Sequence, residues 1–211
     1  MEVEIRKRRF TLDHRKALFA WDTKQLILAD LHVGKSSHFR KAGYSLPGYS
    51  FHKDAEVLLE LVSQYNPREV VFLGDLFHSS FNDEFIQWHH FVKENIKADL
   101  RLVVGNHDKV TVKKNDLLSE FMIDETYISE EFAFTHHPTD CGERLNVCGH
   151  LHPAVRLQGP GLQRMKVPCF WLSENQMVLP AFGELTGVAI IKPQESDRIY
   201  ACTDDAVIQL G

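Results

Sequence analysis

The sequence predicts an α/β protein with two β-sheets flanked by helices, and two patterns along the chain favour this fold class. In the first half, an apolar run at residues 25–29 is followed by helical spacing over 49–65, which Pro67 ends, and by a buried strand at 69–73. In the second half, strand-like runs follow one another with only short gaps. The first pattern is typical of a parallel sheet and the second of a strand-rich layer.

The other predicted elements complete these two halves. Strand-like runs at 3–10 and 17–21 open the chain, and a helix over 83–96 and a strand at 100–104 close the first half. The second half holds predicted strands at residues 132–135, 145–148, 155–157, 169–172, 176–179, 188–191 and 198–202. Because no linker-like segment or fixed-period repeat divides the chain, we expect one domain over residues 1–211.

The composition is that of a globular protein. Of the 211 residues, 44% are hydrophobic and 25% are charged, which excludes a disordered chain, a collagen-like repeat and a disulfide-dense scaffold. No apolar run approaches the roughly 18 residues that span a membrane, and no signal-peptide core follows Met1. The cysteines form no CxxC pair and are expected to be reduced thiols: Cys141, Cys148, Cys169 and Cys202. We therefore expect a soluble, cytoplasmic protein with no membrane partner.

Charge is distributed unevenly along the chain. The net charge is −5 overall, but residues 1–41 carry ten Lys or Arg against five Asp or Glu, so a basic segment precedes an acidic body. One interpretation is an exposed edge strand that its cations protect from aggregation. The other is a surface for a polyanionic partner.

Residues with metal-binding side chains follow five of the strand-like runs. They occur in the stretches Asp30-Leu31-His32, Gly74-Asp75, Gly105-Asn106-His107-Asp108, His136-His137 and Gly149-His150-Leu151-His152. Ligands of α/β proteins bind beyond the carboxyl ends of the strands, so we expect these groups to converge. In extended backbone, alternate residues point the same way, which would let both ends of an Asp-x-His or His-x-His triplet reach one site.

Each of these stretches is weak alone, since Asp-x-His occurs most often in surface loops and Gly-Asp is a common turn. Their number, order and position at strand ends make coincidence improbable. Carboxylates, an amide oxygen and imidazoles together suit manganese, iron or zinc better than magnesium or calcium. The absence of cysteine from the set disfavours a structural zinc site.

The ordered set resembles the motifs of the calcineurin-like metallophosphoesterases. The family's D-x-H, G-D, G-N-H-D, lone histidine and G-H-x-H stand here as DLH, GD, GNHD, HHP and GHLH, over residues 30–152. The resemblance implies a double β-sandwich flanked by helices, in four αββα layers. It also implies a metal-dependent hydrolase of phosphoester bonds.

The same resemblance implies a role for each matching residue. One divalent ion would be held by Asp30, His32, Asp75 and His152. A second ion would be held by Asp75, which the two share, with Asn106, His136 and His150. A metal-bridging hydroxide would attack the phosphodiester, and His107 would protonate or stabilise the leaving oxygen, with Asp108 orienting its ring. His136 is assigned as the ligand in preference to His137, and manganese is the expected metal, with iron or zinc as alternatives.

Segments outside the metal motifs resemble one bacterial branch, the ligase-associated DNA damage response endonucleases. They are residues 30–43, the GDLFHS stretch at 74–79 and a P-A-F-G segment with a later T-G at 180–187. This branch implies DNA as substrate and, by association, a DNA ligase, a helicase and an exonuclease-like protein as partners. Basic side chains near Asp30 would line a phosphate groove or face solvent on a helix: Lys35, His38, Arg40 and Lys41. Phe39 and Tyr44 would stack on bases or pack in the fold.

Three alternative functions remain open at this point. An intact centre would also hydrolyse a small nucleotide-type phosphoester. The fold would otherwise serve as a protein-binding scaffold, or the basic N-terminal segment would bind DNA without cutting it. The presence of all seven proposed ligands favours the enzyme over the last two alternatives.

Overall fold

The computed structural model describes residues 1–35, 50–78, 83–112, 118–158 and 164–210. The positions discussed above at His38, Phe39, Arg40, Lys41 and Tyr44 lie outside these ranges. Within them the helices are α1 (Ser50–Tyr65), α2 (Asp83–Asn95) and α3 (Lys109–Val112). None of the described helices combines the length and the apolar character that a membrane crossing requires.

Among the described residues, the first sheet contains seven strands that lie side by side in chain order. These are β1 (Glu2–Ile5), β2 (Arg8–Asp13), β3 (Ala17–Ala20), β4 (Gln25–Leu28), β5 (Glu69–Leu73), β6 (Asp99–Val103) and β7 (Phe121–Asp124). Strands β1 to β4 pair antiparallel, and β4 to β7 pair parallel. The predicted parallel sheet is therefore present from β4 onward and extends an antiparallel N-terminal part.

The second sheet, in the part of the chain that the structure describes, contains nine strands. These are β8 (Tyr127–Ile128), β9 (Phe132–Phe134), β10 (Leu145–Cys148), β11 (Pro153–Gln158), β12 (Arg164–Leu172), β13 (Gln176–Val178), β14 (Ala189–Ile190), β15 (Arg198–Cys202) and β16 (Val207–Leu210). Strand β10 pairs parallel with both β9 and β13, whereas β12 pairs antiparallel with β11, β13 and β15. The strand-rich second half predicted from the sequence is confirmed.

Two apolar layers hold the fold together. Alternate side chains of β4 point to opposite faces of the sheet. Because both faces are covered, all four residues of the strand are buried. Ile27 packs in the cluster between the two sheets. Leu26 packs on the other face, in the cluster that the described helices cover with residues such as Leu58 and Trp88. A strand that is buried on both faces has a continuous apolar sequence, as the run at residues 25–29 has.

The prediction of one strand over residues 3–10 was wrong. The chain instead forms a hairpin, in which β1 and β2 pair antiparallel around Arg6 and Lys7. Both turn residues have positive φ, 51° and 61°, as a tight two-residue turn requires. Such turns usually carry Asn or Gly, so Arg-Lys gave no turn signal. Strand β1 lies at an edge of the sheet, but its charged residues are Glu2 and Glu4, and the neighbouring cations lie in the turn and in β2, which differs from the predicted edge strand rich in Lys and Arg.

Candidate metal centre

The structure brings the seven predicted ligands to one edge of the sheets. They follow the carboxyl ends of five strands, of which three belong to the first sheet and two to the second. The positions are Asp30 and His32 after β4, Asp75 after β5, Asn106 after β6, His136 after β9, and His150 and His152 after β10. Overlapping groups of His and Asp side chains there have ligand atoms within 4.8 Å of one another.

The first group consists of Asp30, His32 and His152. Asp30 is fully buried, and its Oδ1 lies 3.4 Å from His152 Nε2. Its other oxygen, Oδ2, accepts a hydrogen bond of 2.8 Å from the backbone N–H of His150. This bond fixes the carboxylate so that Oδ1 faces the two imidazoles.

Asp75 lies between the first group and the remaining histidines. Its Oδ2 is 4.0 Å from His32 Nε2, and its Oδ1 is 3.5 Å from His136 Nε2. Oδ1 also accepts a hydrogen bond of 2.9 Å from the backbone N–H of His107. Burial would by itself raise the pKa of Asp75, but hydrogen bonding to His136 and to this N–H lowers it overall. The carboxylate is therefore held ionised in a central position.

The second group consists of His136, His137 and His150, with Asn106 beside it. His136 is buried and its Nδ1 donates to the Leu73 carbonyl at 3.0 Å. A carbonyl only accepts, so His136 Nδ1 carries a proton, and Nε2 is the ring nitrogen that faces the other proposed ligands, 3.1 Å from His150 Nδ1.

The two adjacent histidines both reach the second group. His137 is exposed, and its Nε2 lies 2.7 Å from the side-chain oxygen of Asn106. Its ring centroid is 4.0 Å from that of His150. The structure therefore gives His137 a direct contact with a proposed ligand, while the preference for His136 as ligand stays a prediction.

The donor set of this edge fits divalent ions. Three buried polar atoms of the first group lack a hydrogen-bond partner: Asp30 Oδ1, His32 Nδ1 and His152 Nε2. An unpaired buried polar atom typically costs about 1–3 kcal/mol. A metal ion would satisfy the facing oxygen and nitrogen of Asp30 and His152, and the mixed oxygen and imidazole donors suit manganese, iron or zinc.

Five proposed ligands have left-handed backbone conformations. The φ angles are 56° at Asp30, 53° at His32, 46° at Asp75, 67° at His150 and 48° at His152. The prediction that the two triplets are extended was therefore wrong, although their side chains still converge. A non-glycine residue in this region is strained by about 1–2 kcal/mol, and such strain clusters at functional sites.

Three glycines let the strand ends approach one another closely. A Cβ on Gly74 would lie 2.3 Å from His136 Nδ1, and one on Gly149 would lie 2.6 Å from Asp30 Oδ2. A Cβ on Gly105 would lie 2.2 Å from the Asp75 backbone nitrogen. Any side chain at these positions would push proposed ligands apart.

His107 lies at the open side of the centre. Its Nε2 is 3.9 Å from Asp75 Oδ2, and 46% of its side chain is exposed. The His78 ring stacks on it at a centroid distance of 5.6 Å, a contact that sequence reasoning did not anticipate. Asp108 accepts hydrogen bonds from the backbone N–H groups of Gly105 and Phe77, at 2.8 and 3.1 Å. It therefore joins two loops and does not orient His107 as predicted.

Comparison with known protein families matches residues 23–170 to the calcineurin-like phosphoesterases. This chain belongs to that family. The match covers all seven proposed ligands and His107, so the predicted family is confirmed. The chain is accordingly a hydrolase of phosphoester bonds, in a family that uses divalent metal ions. Comparison with curated proteins found no match.

One solved structure agrees closely with the fold of this chain, and two others are more distant. The chain is 25% identical to the nuclease MPE of Pseudomonas putida, with a TM-score of 0.83, over 100% of this chain and 99% of that one. It is also similar to Yfce, a phosphoesterase from E. coli, with 19% identity and a TM-score of 0.47, over 88% of this chain and 97% of that one. The protein AQ665 from Aquifex aeolicus is 20% identical, with a TM-score of 0.44, over 61% of this chain and 78% of that one. The first comparison confirms the predicted fold.

Proposed function

We propose that this phosphoesterase is a dinuclear-metal-dependent phosphodiesterase that cleaves DNA internally. The observation that carries the proposal is the position of Asp75. One of its oxygens faces His32 and the other faces His136, so a single carboxylate is available to two groups of ligands. The likeness to a bacterial nuclease over the whole chain supports the choice of DNA.

The proposed ligands divide between the two groups. One ion would be held by Asp30, His32, Asp75 and His152. The other would be held by Asp75, Asn106, His136 and His150, and manganese is the proposed metal for both. When bound, the ions would supply Lewis-acid activation of water and of the phosphoryl oxygens.

The protein's own residues would orient the substrate and move a proton. The hydrogen bonds from His150 N–H to Asp30 and from His107 N–H to Asp75 keep both carboxylates aimed into the centre. The exposed His107 imidazole is available to give a proton to the departing oxygen. The stacked His78 ring limits the directions in which that imidazole turns.

The openness of the centre favours a polymer over a small molecule. Asn106, His107 and His137 are all exposed, on the side of the centre that a substrate would meet. An extended DNA strand would cross such an open edge without being enclosed.

We further propose that the enzyme acts in the cytoplasm as part of a bacterial DNA repair system. The support is the resemblance of residues 30–43, 74–79 and 180–187 to ligase-associated endonucleases. A DNA ligase, a helicase and an exonuclease-like protein would be its partners. Co-purification of these proteins with the tagged enzyme from a host that encodes all four would test the association.

The decisive experiment compares substrates and metals. The apo protein would be given Mn²⁺, Mg²⁺, Zn²⁺ or no metal with bis-p-nitrophenyl phosphate, p-nitrophenyl phosphate or circular single-stranded DNA. We expect Mn²⁺-dependent cleavage of the diester and linearisation of the circle. Asp75→Asn should abolish both activities, whereas Asp99→Asn, which alters an exposed carboxylate at the start of β6, should keep them.

Other results would change the proposal in defined ways. Diester hydrolysis without DNA cleavage would move the substrate to a small phosphodiester. Hydrolysis of the monoester alone would make the protein a phosphatase. Absence of turnover with any metal would contradict the enzyme and favour a scaffold or a DNA-binding protein.

A further inference from the structure

The turn formed by residues 182–186 contacts the main chain at a proposed metal ligand. The N–H of Phe182 donates to the carbonyl of Ala29 at 2.8 Å. The N–H of Gly183 lies 3.3 Å from the carbonyl of Asp30 and donates to it. The C-terminal part of the chain therefore reaches back to the loop that presents the Asp30 carboxylate.

This turn lies outside residues 23–170, which match the family. A second donor from the same turn, the Thr186 hydroxyl, is 3.5 Å from the Asp30 carbonyl, and the Thr186 N–H donates to Gly183 at 3.0 Å. The turn thus places two donors at one carbonyl. The contacts extend the metal centre beyond the segments that carry the family's motifs.

The backbone of Asp30 needs such support because it is strained. Its φ of 56° is left-handed, and a non-glycine residue keeps this conformation only where its surroundings enforce it. The Asp30 N–H donates to the Gly74 carbonyl at 3.2 Å. The carbonyl on the other side of the strained residue is held by the turn. The two contacts together fix the peptide planes on both sides of the ligand.

Gly183 packs closely against the ligand loop. A Cβ at this position would lie 2.3 Å from the carbonyl oxygen of Leu31 and 2.9 Å from Thr186 Oγ1. Leu31 stands between the ligands Asp30 and His32. An alanine at 183 would therefore force the turn away from the segment that carries both of them.

Two ionisable side chains form hydrogen bonds with the backbone of the turn. Lys16 Nζ donates to the carbonyl of Phe182 at 2.5 Å, and Lys16 is itself in a left-handed conformation that ends the turn between β2 and β3. Asp54, on α1, accepts a hydrogen bond of 3.1 Å from the backbone N–H of Glu184. Burial lowers the pKa of Lys16, and the Asp54 carboxylate opposes that change.

We propose that the turn at residues 182–186 is a positioning element that fixes Asp30 for metal binding, and that Lys16 and Asp54 hold the turn in place. The proposal rests on the metal centre of the proposed function and adds a set of positioning residues to it. None of these residues is a proposed metal ligand. Their effect is exerted through the geometry of the Asp30 main chain.

Two alanine variants in the same segment provide a matched test. Gly183→Ala places a methyl group against Leu31, whereas Gly187→Ala places one where no atom lies within 4 Å. Mn²⁺ binding to the apo protein would be measured from the electron paramagnetic resonance signal of the free ion, and unfolding by urea without metal. We expect Gly183→Ala to weaken Mn²⁺ binding about tenfold, the size typical of lost support to a ligand, and Gly187→Ala to bind as the wild type.

A second pair of variants covers the case in which Gly183→Ala fails to fold. Thr186→Val removes the hydroxyl donor at nearly constant volume, and Thr186→Ser restores it. We expect a few-fold weaker Mn²⁺ binding with valine and wild-type binding with serine. Loss of stability in urea with unchanged Mn²⁺ affinity, in either Gly183→Ala or Thr186→Val, would make the turn a packing element and overturn the proposal.

The measurement separates this proposal from the proposed function because it needs no substrate. A wild-type protein that binds Mn²⁺ without cleaving DNA would contradict the nuclease, while the variants would still decide the positioning role. A wild-type protein that cleaves DNA, with Gly183→Ala equal to it in Mn²⁺ affinity, would overturn the positioning role alone. A wild-type protein that binds no divalent ion would overturn both.

Discussion

Polar side chains at the two ends of strands β4 and β5 differ in whether they are hydrogen-bonded within the protein. Beyond their carboxyl ends, buried atoms of Asp30 and His32 have no hydrogen-bond partner. Near their amino ends, Gln25 Nε2 donates to Glu69 Oε2 at 2.6 Å, and Arg101 Nε donates to Glu69 Oε1 at 2.8 Å. One end leaves its polar atoms ready for a ligand, and the other pairs them within the protein.

This difference separates function from stability within one sheet. The paired end is a closed network, since Arg101 also bonds Asp124 and lies 4.1 Å over the ring of Tyr127. Satisfied groups of this kind stabilise the fold, whereas unsatisfied ones reduce its stability. The carboxyl end keeps its unpaired atoms and its strained backbone, a cost that selection accepts where activity requires it. Substitutions at the carboxyl end should therefore reduce activity, and substitutions at the amino end should reduce stability.

The largest effect should come from the second ligand group, where two histidines are adjacent. Replacing His136 by Gln removes a buried Nε2 that faces both Asp75 and His150. We expect a loss of kcat of about a thousandfold, since a bound metal supplies several kcal/mol of transition-state stabilisation. Turnover of bis-p-nitrophenyl phosphate and bound manganese by mass spectrometry would measure both properties.

His137→Ala is the matched control for that substitution. His137 is exposed and contacts Asn106 alone among the proposed ligands within hydrogen-bonding distance. We expect about a tenfold loss of activity with manganese content retained, in the range found for groups that support a ligand. The reverse order of effects would exchange the assignments of the two histidines.

A smaller effect is expected for His107, which belongs to the functional end without being a proposed ligand. His107→Ala should lower kcat about a hundredfold, the usual contribution of a proton donor, with bound manganese unchanged. Because p-nitrophenolate leaves without a proton, the loss should be greater for a phenyl diester than for a p-nitrophenyl diester. An equal loss with both leaving groups would exclude the proton-donor role.

Breaking the paired end should change stability and leave catalysis intact. Glu69→Gln removes the negative charge to which Arg101 and Gln25 both donate. The side chains of Glu69 and Arg101 are only 12% and 15% exposed. We expect the free energy of unfolding in urea to fall by about 2 kcal/mol, as for other hydrogen bonds to buried charged groups. The value of kcat/KM should stay within about twofold. Glu120→Gln, in an exposed pair with Lys93, should alter neither quantity noticeably.

The sequence was most informative where one strand is buried on both faces and ends in a metal-binding residue. The runs before Asp30 and Asp75 satisfy both conditions, and the predicted strand at Glu69–Leu73 matches the observed one. The convergence of their ends follows from parallel pairing, which the alternation of strands and helices implies. Most of the donor set was predictable for this reason.

The rest depends on contacts that spacing does not encode. Strand β7 was missed because its apolar run is only three residues long, from Phe121 to Ile123, and is bounded by acidic residues. Adjacent histidines at 136 and 137 differ only by the direction in which the backbone turns them, so the contact of His137 with Asn106 had no sequence signal. The bond from Lys16 to Phe182 joins residues 166 positions apart. Such pairings are fixed by the packed fold and not by local pattern.

The smallest expected effect tests whether the open end binds a chain of phosphates. Lys35 follows the first ligand group closely, and its backbone N–H donates to the His32 carbonyl at 3.2 Å. A cation there would neutralise a phosphate next to the scissile one. Lys35→Gln should raise KM for single-stranded DNA about fivefold and reduce the slope of log KM against log salt by about 0.7, the value for one lost phosphate contact.

Bis-p-nitrophenyl phosphate gives the internal control, because it has no neighbouring phosphate for Lys35 to bind. Its kcat and KM should be the same in the variant and the wild type. An equal loss on both substrates would mean that the Lys35 side chain supports the metal group itself and does not contact DNA. The functional end would then consist of the metal centre alone, and the preference for DNA would have to come from another surface.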